Sequence, residues 1–334
     1  MAIFSNSTSN NIFSKNFDLV LCVLLISIIS IIFNIVVCSL VSNSARLRQP
    51  FHLLIANLAL ADILYGCSST LRCIMIIFTI DYNYSLDIRQ LLRKNVKILC
   101  GITNFIAAVA MSNSMMTLAV IGIERYRGII HPLTGPIHRN KMNFIIVAIW
   151  FYALVCATIF IFVTDYDRRD LIDCSGLLSQ THLDTSLVLS AFFAVLNSLL
   201  PLLIIFICYT CIIIKLRNIN IPIEDSRYKL QALKTIKKRN LSIISILLIT
   251  TLSACGTIPY AFSYVWISFQ KTLDPNFTHK LLSKFSMLFR VTTVMMFMPG
   301  ILNPILYNFA SINFKNEFKL LTRRLRISFK FTAT

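Results

Sequence analysis

The chain has 334 residues; 56% are hydrophobic and 14% are charged, whereas a soluble domain averages about 25% charged residues. Most of the chain therefore cannot face water. The net charge of +18 would suit nucleic-acid binding, but the cations occupy short segments between apolar runs, so we exclude nucleic acid as a partner.

Apolar runs of the length that crosses a bilayer recur along the chain. A spanning helix needs about 20 mainly apolar residues, and seven runs meet this requirement. The first is too long for the apolar region of a signal peptide, so we interpret it as an uncleaved anchor. The sequence predicts an all-α membrane protein with an N-terminal segment at 1–17, a seven-helix bundle at 18–308 and a tail at 309–334. Spans one to seven are predicted at residues 18–42, 51–79, 99–128, 143–164, 186–214, 241–268 and 285–308.

The charges of the connecting segments predict the orientation of these spans. Lys and Arg concentrate after spans one, three, five and seven, and most acids lie on the opposite side. The positive-inside rule then places the N-terminus outside and the tail in the cytoplasm, as expected for a multi-pass protein of the plasma membrane. Three N-x-S/T glycosylation signals fall on the predicted outer side, at Asn6, Asn83 and Asn276.

One carboxylate, Asp62, lies in the middle of span two within NLALADILYG. A charged side chain at the bilayer centre costs about 2.5–3.5 kcal/mol, so such a residue faces the bundle interior and has polar partners. Asn34 of span one, Ser114 of span three and Asn303 of span seven are the candidate partners.

Span seven ends in MPGILNPILY, where Pro299 and Pro304 each remove a backbone hydrogen bond. In a membrane the freed carbonyl groups need other donors. Asn303 and Tyr307 lie one turn apart, and we expect them to supply these donors. The segment is then either a simple proline kink or a hinge.

Taken in order, these features resemble the rhodopsin-like (class A) G-protein-coupled receptors. The resemblance covers nearly the whole chain, and it depends on eight motifs in sequence rather than on any single one. It implies a bundle of seven transmembrane helices. The matching residues are Asn34, Asp62, the ERY motif of Glu124, Arg125 and Tyr126, then Trp150, Pro201, Tyr209, Pro259 and the NPILY motif from Asn303 through Pro304 to Tyr307.

The resemblance also implies roles for these residues. Glu124 would hold Arg125 at rest, and activation would free Arg125 to meet a heterotrimeric G protein. Tyr209 and Tyr307 would move inward to stabilise the active state, and Leu133 would insert into the G protein. A disulfide bond between Cys100 and Cys174 is implied as well.

The chain departs from the family pattern in spans six and seven. Gly256 and Thr257 stand where the family has Cys and Trp, and Arg239 replaces an acid that usually locks the span-three arginine, so we expect some activity without ligand. We expect no cofactor. A sodium ion at Asp62 is the one alternative, and it is disfavoured because Pro299 and Gly300 stand where polar span-seven ligands are often seen.

The ligand class is narrowed mainly by exclusion. Amine receptors have an Asp where this chain has Ala107, and the retinal-binding Lys of opsins is absent from span seven. A peptide ligand is favoured, because the second outer segment is acidic and would attract a cationic peptide. Candidate ligand contacts are Arg72 and Arg290, which either meet a carboxylate or extend to the membrane interface, and Tyr260 and Tyr264.

The tail predicts an amphipathic helix on the inner leaflet. Phe314, Phe318, Leu321 and Leu325 share one helical face, and basic residues occupy the others, so membrane lipids are expected partners. Two other functions were weighed. A transporter or channel would show internal repeats and a polar midplane cluster, and an enzyme would show a catalytic motif. The sequence shows no internal repeat and no catalytic motif, and Asp62 is its lone mid-membrane carboxylate.

Overall fold

The computed structural model describes residues 4–80, 86–135, 137–165, 177–178, 183–217, 243–259, 294–307 and 311–332, together with 241, 262, 266 and 291. The first four helices are α1 (Phe4–Asn43), α2 (Pro50–Ile80), α3 (Leu86–Ile130) and α4 (Arg139–Val163). A π-helical turn, Val195–Leu199, joins α5 (Leu183–Ala194) to α6 (Leu200–Arg217). Three more helices follow: α7 (Ile243–Pro259), α8 (Val294–Tyr307) and α9 (Ile312–Thr332). Short 3-10 helices occupy Ala45–Leu47 and Pro132–Thr134, and β1 (Thr164–Asp165) pairs antiparallel with β2 (Leu177–Leu178).

The helices coincide with the predicted spans. Within the part of the chain that the structure describes, five segments are long and apolar enough to cross a membrane, and α7 and α8 are shorter apolar helices within predicted spans six and seven. The all-α membrane class predicted from the sequence is therefore confirmed. The five long segments are Asp18–Asn43, Pro50–Ile77, Ile98–Ile130, Arg139–Phe162 and Val188–Arg217.

Helix α3 is the centre of the described bundle. It packs against α2, α4 and α6. In the most apolar stretch of α3, 61% is buried inside the protein, whereas the corresponding share in the other four long segments is 22–39%. The main hydrophobic cluster joins residues of the spans to Phe314 of α9, which is only 1% exposed. The predicted amphipathic tail is thus a helix whose apolar face begins in the core. Representative members of the cluster are Val37, Leu54, Leu118, Met142, Ile212, Ile246 and Tyr307.

A buried hydrogen-bond network connects α2, α3 and α4. The indole Nε1 of Trp150 donates to Asn57 Oδ1 at 2.9 Å. The Asn57 amide in turn donates to Asn113 Oδ1 at 2.9 Å and to Thr117 Oγ1 at 2.8 Å. Because lipid tails offer no hydrogen bonds, polar side chains inside a bundle hold helices together in this way.

Replacing Trp150 by phenylalanine should destabilise the bundle by about 1 kcal/mol, the usual scale of an interhelical hydrogen bond in a membrane. The variant keeps an aromatic ring but removes the donor to Asn57. Thermal unfolding of the detergent-solubilised protein measures the loss. Phe151→Leu is the control, because Phe151 is 70% exposed, and an equal loss in both variants would contradict the role of the network.

The π-helical turn in the fifth span has a specific polar contact. The Tyr152 hydroxyl of α4 donates a hydrogen bond to the carbonyl oxygen of Leu196. Asn197 and Ser198 in the same turn are buried, and Pro201 lies just beyond it in α6. The widened turn is therefore fixed from the neighbouring helix rather than by contacts of the fifth span alone.

Candidate functional site

The proline in the NPILY motif has its freed carbonyl satisfied from another helix. Pro304 lacks an N–H, so the carbonyl of Gly300, four residues earlier, has no donor within α8. Asn34 of α1 donates its Nδ2 to Gly300 O at 2.8 Å and to Ser30 O at 2.9 Å. Asn34 is fully buried. The amide of α1 therefore repairs the proline break in α8.

The prediction that Asn303 and Tyr307 would satisfy the freed carbonyls was wrong. Asn303 Nδ2 donates to Asp62 Oδ2 at 3.2 Å. The Tyr307 hydroxyl makes no hydrogen bond among the described residues. One turn of spacing along a helix does not decide which helix an amide faces, and here Asn303 faces α2.

Removing the Asn34 amide should cost about 1–3 kcal/mol, the penalty of a buried carbonyl left without a donor. We expect Asn34→Ala to lower the melting temperature of the solubilised protein. In a Pro304→Ala background the cost should shrink, because residue 304 then supplies an N–H to Gly300 O. Equal costs of Asn34→Ala in both backgrounds would show that Asn34 acts through some other contact.

Asp62 lines a cavity of about 50 Å³ whose walls are mainly apolar. Of the predicted partners, Ser114 and Asn303 line the same cavity, whereas Asn34 is directed to Gly300. The other polar residues of its lining are Ser30, Tyr65, Ser253 and Thr257. Asp62 thus joins α2 to α8 through Asn303 beside a space that α3 and α7 also line.

Arg125 lies in the last two turns of α3, at the predicted cytoplasmic side. Its Nε lies 3.5 Å from Glu124 Oε2, although neither atom makes a hydrogen bond among the described residues. Its guanidinium carbon lies 3.5 Å from the ring centroid of Phe51 in α2. Beyond it, Tyr126 contacts the ring of His131, and Leu133 is fully exposed in the 3-10 helix after Pro132.

Two buried tyrosines lie deeper in the bundle. Tyr209 of α6 is 3% exposed and Tyr307 of α8 is 1% exposed. Among the described residues neither hydroxyl has a hydrogen-bond partner. Tyr209 packs against Gly122, nearly one turn before Arg125, where a Cβ would lie 3.6 Å from the tyrosine ring. A buried hydroxyl left unpaired costs about 1–3 kcal/mol.

Helix α7 approaches α8 closely at the residue that replaces the family's cysteine. Pro299 frees the carbonyl of Met295. A Cβ on Gly256 would lie 2.8 Å from Met295 O and 3.0 Å from Met296 Cα. Only glycine permits this approach without displacement. The neighbouring Thr257 hydroxyl donates to Ser253 O at 2.8 Å and lies 3.9 Å from the Met115 sulfur.

The family model described as "7 transmembrane receptor (rhodopsin family)" matches residues 33–307. The chain belongs to the rhodopsin family of seven-transmembrane receptors. The predicted seven-helix bundle is confirmed by this assignment, and the protein is a multi-pass membrane receptor rather than an enzyme. The transporter or channel alternative is not favoured.

Similarity to individual receptors extends over most of the chain. Neuropeptide Y receptor type 1 of Xenopus laevis is 23% identical over 301 residues, which cover 85% of this chain and 75% of that receptor. Neuropeptide Y receptor type 6 of Oryctolagus cuniculus is 26% identical over 314 residues, which cover 89% of this chain and 75% of that receptor. Tachykinin-like peptides receptor 86C of Drosophila melanogaster is 24% identical over 252 residues, which cover 72% of this chain and 47% of that receptor.

The predicted outer half of this rhodopsin-family receptor contains several of the predicted site residues. Arg72 Nη1 donates to Asn104 Oδ1 of α3 at 3.3 Å, and Asn104 is 8% exposed. Arg72 is therefore directed toward the bundle rather than toward the membrane interface. Ala107 is half-buried in α3, and Cys100 is buried and disulfide-bonded.

The remaining predicted residues cannot be assigned contacts. Asn6 falls within α1, near its start. The predicted disulfide partner, two glycosylation signals and three ligand candidates lie outside the described residues, so their roles stay predictions. They are Cys174, Asn83, Asn276, Tyr260, Tyr264 and Arg290.

Sequence reasoning missed two contacts of this site. The first is the contact between Phe51 and Arg125. Phe51 follows Pro50 at the start of α2, and it belongs to no sequence motif. Gly256 was noted as a departure from the family, but its contact with Met295 depends on how closely α7 and α8 approach. The signal for the second contact was present, because Gly256 and Pro299 are both unusual at their positions.

Proposed function

We propose that this receptor resides in the plasma membrane with its N-terminus outside, binds a peptide and activates a heterotrimeric G protein. The relatives named as receptors for neuropeptide Y and tachykinin-like peptides support the peptide class. Ala107 also supports it, because a ligand amine would find no carboxylate at this position. The inward direction of Arg72 adds a cation that would suit an acidic group of the peptide.

The observation that carries the proposal is that two tyrosines are buried without hydrogen-bond partners for their hydroxyls among the described residues. Tyr209 and Tyr307 lie inside the inner half of the bundle with hydroxyls that have no described partner. Buried polar groups in native proteins are nearly always paired, so an exception calls for an explanation. A second conformation in which both hydroxyls gain partners would be stabilised relative to this one. Ligand binding then needs only to favour that second conformation.

The membrane-facing tail fits the same orientation. In α9, Phe314 is buried, and Lys315 and Lys319 are exposed. Glu317 forms an ion pair with Arg46 at 3.4 Å, which fixes the helix beside the end of α1. The exposed cations would then contact anionic lipids of the inner leaflet.

Reconstitution in lipid vesicles with purified heterotrimeric G proteins tests this function. A peptide library should contain members that increase guanine-nucleotide exchange, and a library of small amines should contain none. Ion flux across the same vesicles serves as the second readout. Ligand-dependent flux without nucleotide exchange would overturn the proposal and restore the transporter or channel interpretation.

A further inference from the structure

Among the described residues, Arg125 contacts an aromatic ring on another helix and forms no ion pair with an acid there. The guanidinium carbon lies 3.5 Å from the Phe51 ring centroid, well within the roughly 6 Å range of a cation–π contact. Phe51 is 6% exposed, so the ring face is shielded from water and the attraction is stronger than at a surface.

The acidic restraint on Arg125 is weak in comparison. Glu124 is its chain neighbour, the two charged atoms are 3.5 Å apart, and no hydrogen bond joins them. Strong Arg–carboxylate pairs are shorter and hydrogen-bonded. In the sequence, Arg239 occupies the position at which a span-six acid would hold this arginine. A group other than a span-six acid must therefore hold the Arg125 guanidinium in its position beside α2.

The Phe51 ring contacts its chain neighbour His52 edge-on, with ring centroids 5.5 Å apart. His52 is 2% exposed, and its Nε2 lies 2.8 Å from Ser311 Oγ. The same Ser311 oxygen accepts the backbone N–H of Phe314 at the start of α9. The first turn of α2 is therefore fixed to the junction between α8 and α9.

Phe51 is also in contact with the elements that a conformational change would move. It lines an apolar cavity of about 10 Å³ together with Ile246 of α7 and Tyr307 of α8. Displacement of either helix would alter the packing around the ring, and with it the contact to Arg125.

We propose that Phe51 is the positioning residue that holds Arg125 in the resting conformation, in place of a span-six carboxylate. This inference rests on the proposed role of Arg125 in G-protein activation. The ring limits the ligand-free activity expected from the missing acid, and activation separates the guanidinium from it.

Phe51→Leu and Phe51→Tyr test the assignment. Leucine keeps the side chain apolar and of similar size but removes the ring face, and tyrosine keeps the ring face. We expect Phe51→Leu to raise ligand-free nucleotide exchange per receptor about fivefold or more, because fivefold corresponds to a cation–π contact at an exposed site and this contact is shielded from water. Phe51→Tyr should retain the wild-type level. Phe144→Leu is the matched control, because Phe144 is 74% exposed on α4.

A thermal double-mutant cycle separates this contact from the proposed function. Phe51→Leu should lower the melting temperature in the wild-type background and have a smaller effect in an Arg125→Ala background. Equal effects in both backgrounds would overturn the contact. A coupled cycle with unchanged ligand-free exchange would overturn the positioning role. If the wild-type receptor gives no nucleotide exchange with any G protein or peptide, both the proposed function and the positioning role fail. The thermal cycle then tests only whether Phe51 and Arg125 are in contact.

Discussion

Arg125→Ala should abolish most peptide-stimulated nucleotide exchange, with a loss of at least about tenfold, within the usual range of coupling between two sites in one protein. The Arg125 side chain lies in the last two turns of α3, is 25% exposed and contacts the Phe51 ring, so its removal costs the fold about one cation–π contact and leaves the rest of the α2–α3 packing in place. Surface expression should therefore be retained. Exchange is measured in vesicles containing equal amounts of receptor and saturating peptide.

The matched control is Arg127→Ala, which removes an exposed cation two residues further along the same helix. If the local positive charge alone recruits the G protein, both variants should lose activity to the same extent. If Arg125 has the specific role proposed for it, Arg127→Ala should keep most of the activity. Undiminished exchange in Arg125→Ala at normal expression would refute the assigned role.

Gly256→Ala should strongly lower the stability of this receptor. The new Cβ would lie 2.8 Å from Met295 O and 3.0 Å from Met296 Cα, both of which are backbone atoms. Backbone cannot rotate away as a side chain can, so α7 must move from α8 or both must bend. Overpacking of this kind costs about 1–3 kcal/mol. Thermal unfolding of the solubilised receptor measures the loss.

Gly101→Ala provides the comparison for Gly256→Ala. Gly101 lies inside α3, and a Cβ there would meet nothing within 4 Å. Alanine in a helix interior is favoured over glycine by about 0.5–1 kcal/mol, so this variant should be as stable as the wild type or more so. A stable Gly256→Ala receptor would mean that α7 and α8 are further apart than described here.

The positions of the helices followed from the sequence because the bilayer sets their length. Spans predicted at 18–42, 51–79 and 143–164 correspond to the apolar segments Asp18–Asn43, Pro50–Ile77 and Arg139–Phe162. Hydropathy reports which segments can stay in the hydrocarbon core of the bilayer, and the thickness of that core is nearly the same for every span. The membrane placement of Asp62 followed for the same reason, since its cost depends on depth rather than on neighbours.

The contacts between helices did not follow from the sequence. Asn34 was expected beside Asp62, but it donates to Gly300. A side-chain donor was expected at the break caused by Pro304, but it was expected from Asn303 and Tyr307 of span seven itself. Which amide reaches a freed carbonyl depends on the rotation and tilt of two helices, and neither is encoded in spacing along one of them. The stacking of Arg125 on Phe51, 74 positions apart in the chain, belongs to the same class of information.

The π-helical turn Val195–Leu199 also changes how the fifth span should be compared with other receptors. A π turn contains one residue more than an α turn, so the helix on its N-terminal side is rotated by about 100° about its axis relative to an uninterrupted α-helix. Counting positions back from Pro201 without this offset would assign Leu183–Ala194 to the wrong faces. Ligand contacts carried over from a receptor whose fifth helix is regular need a one-residue correction before they are tested on this chain.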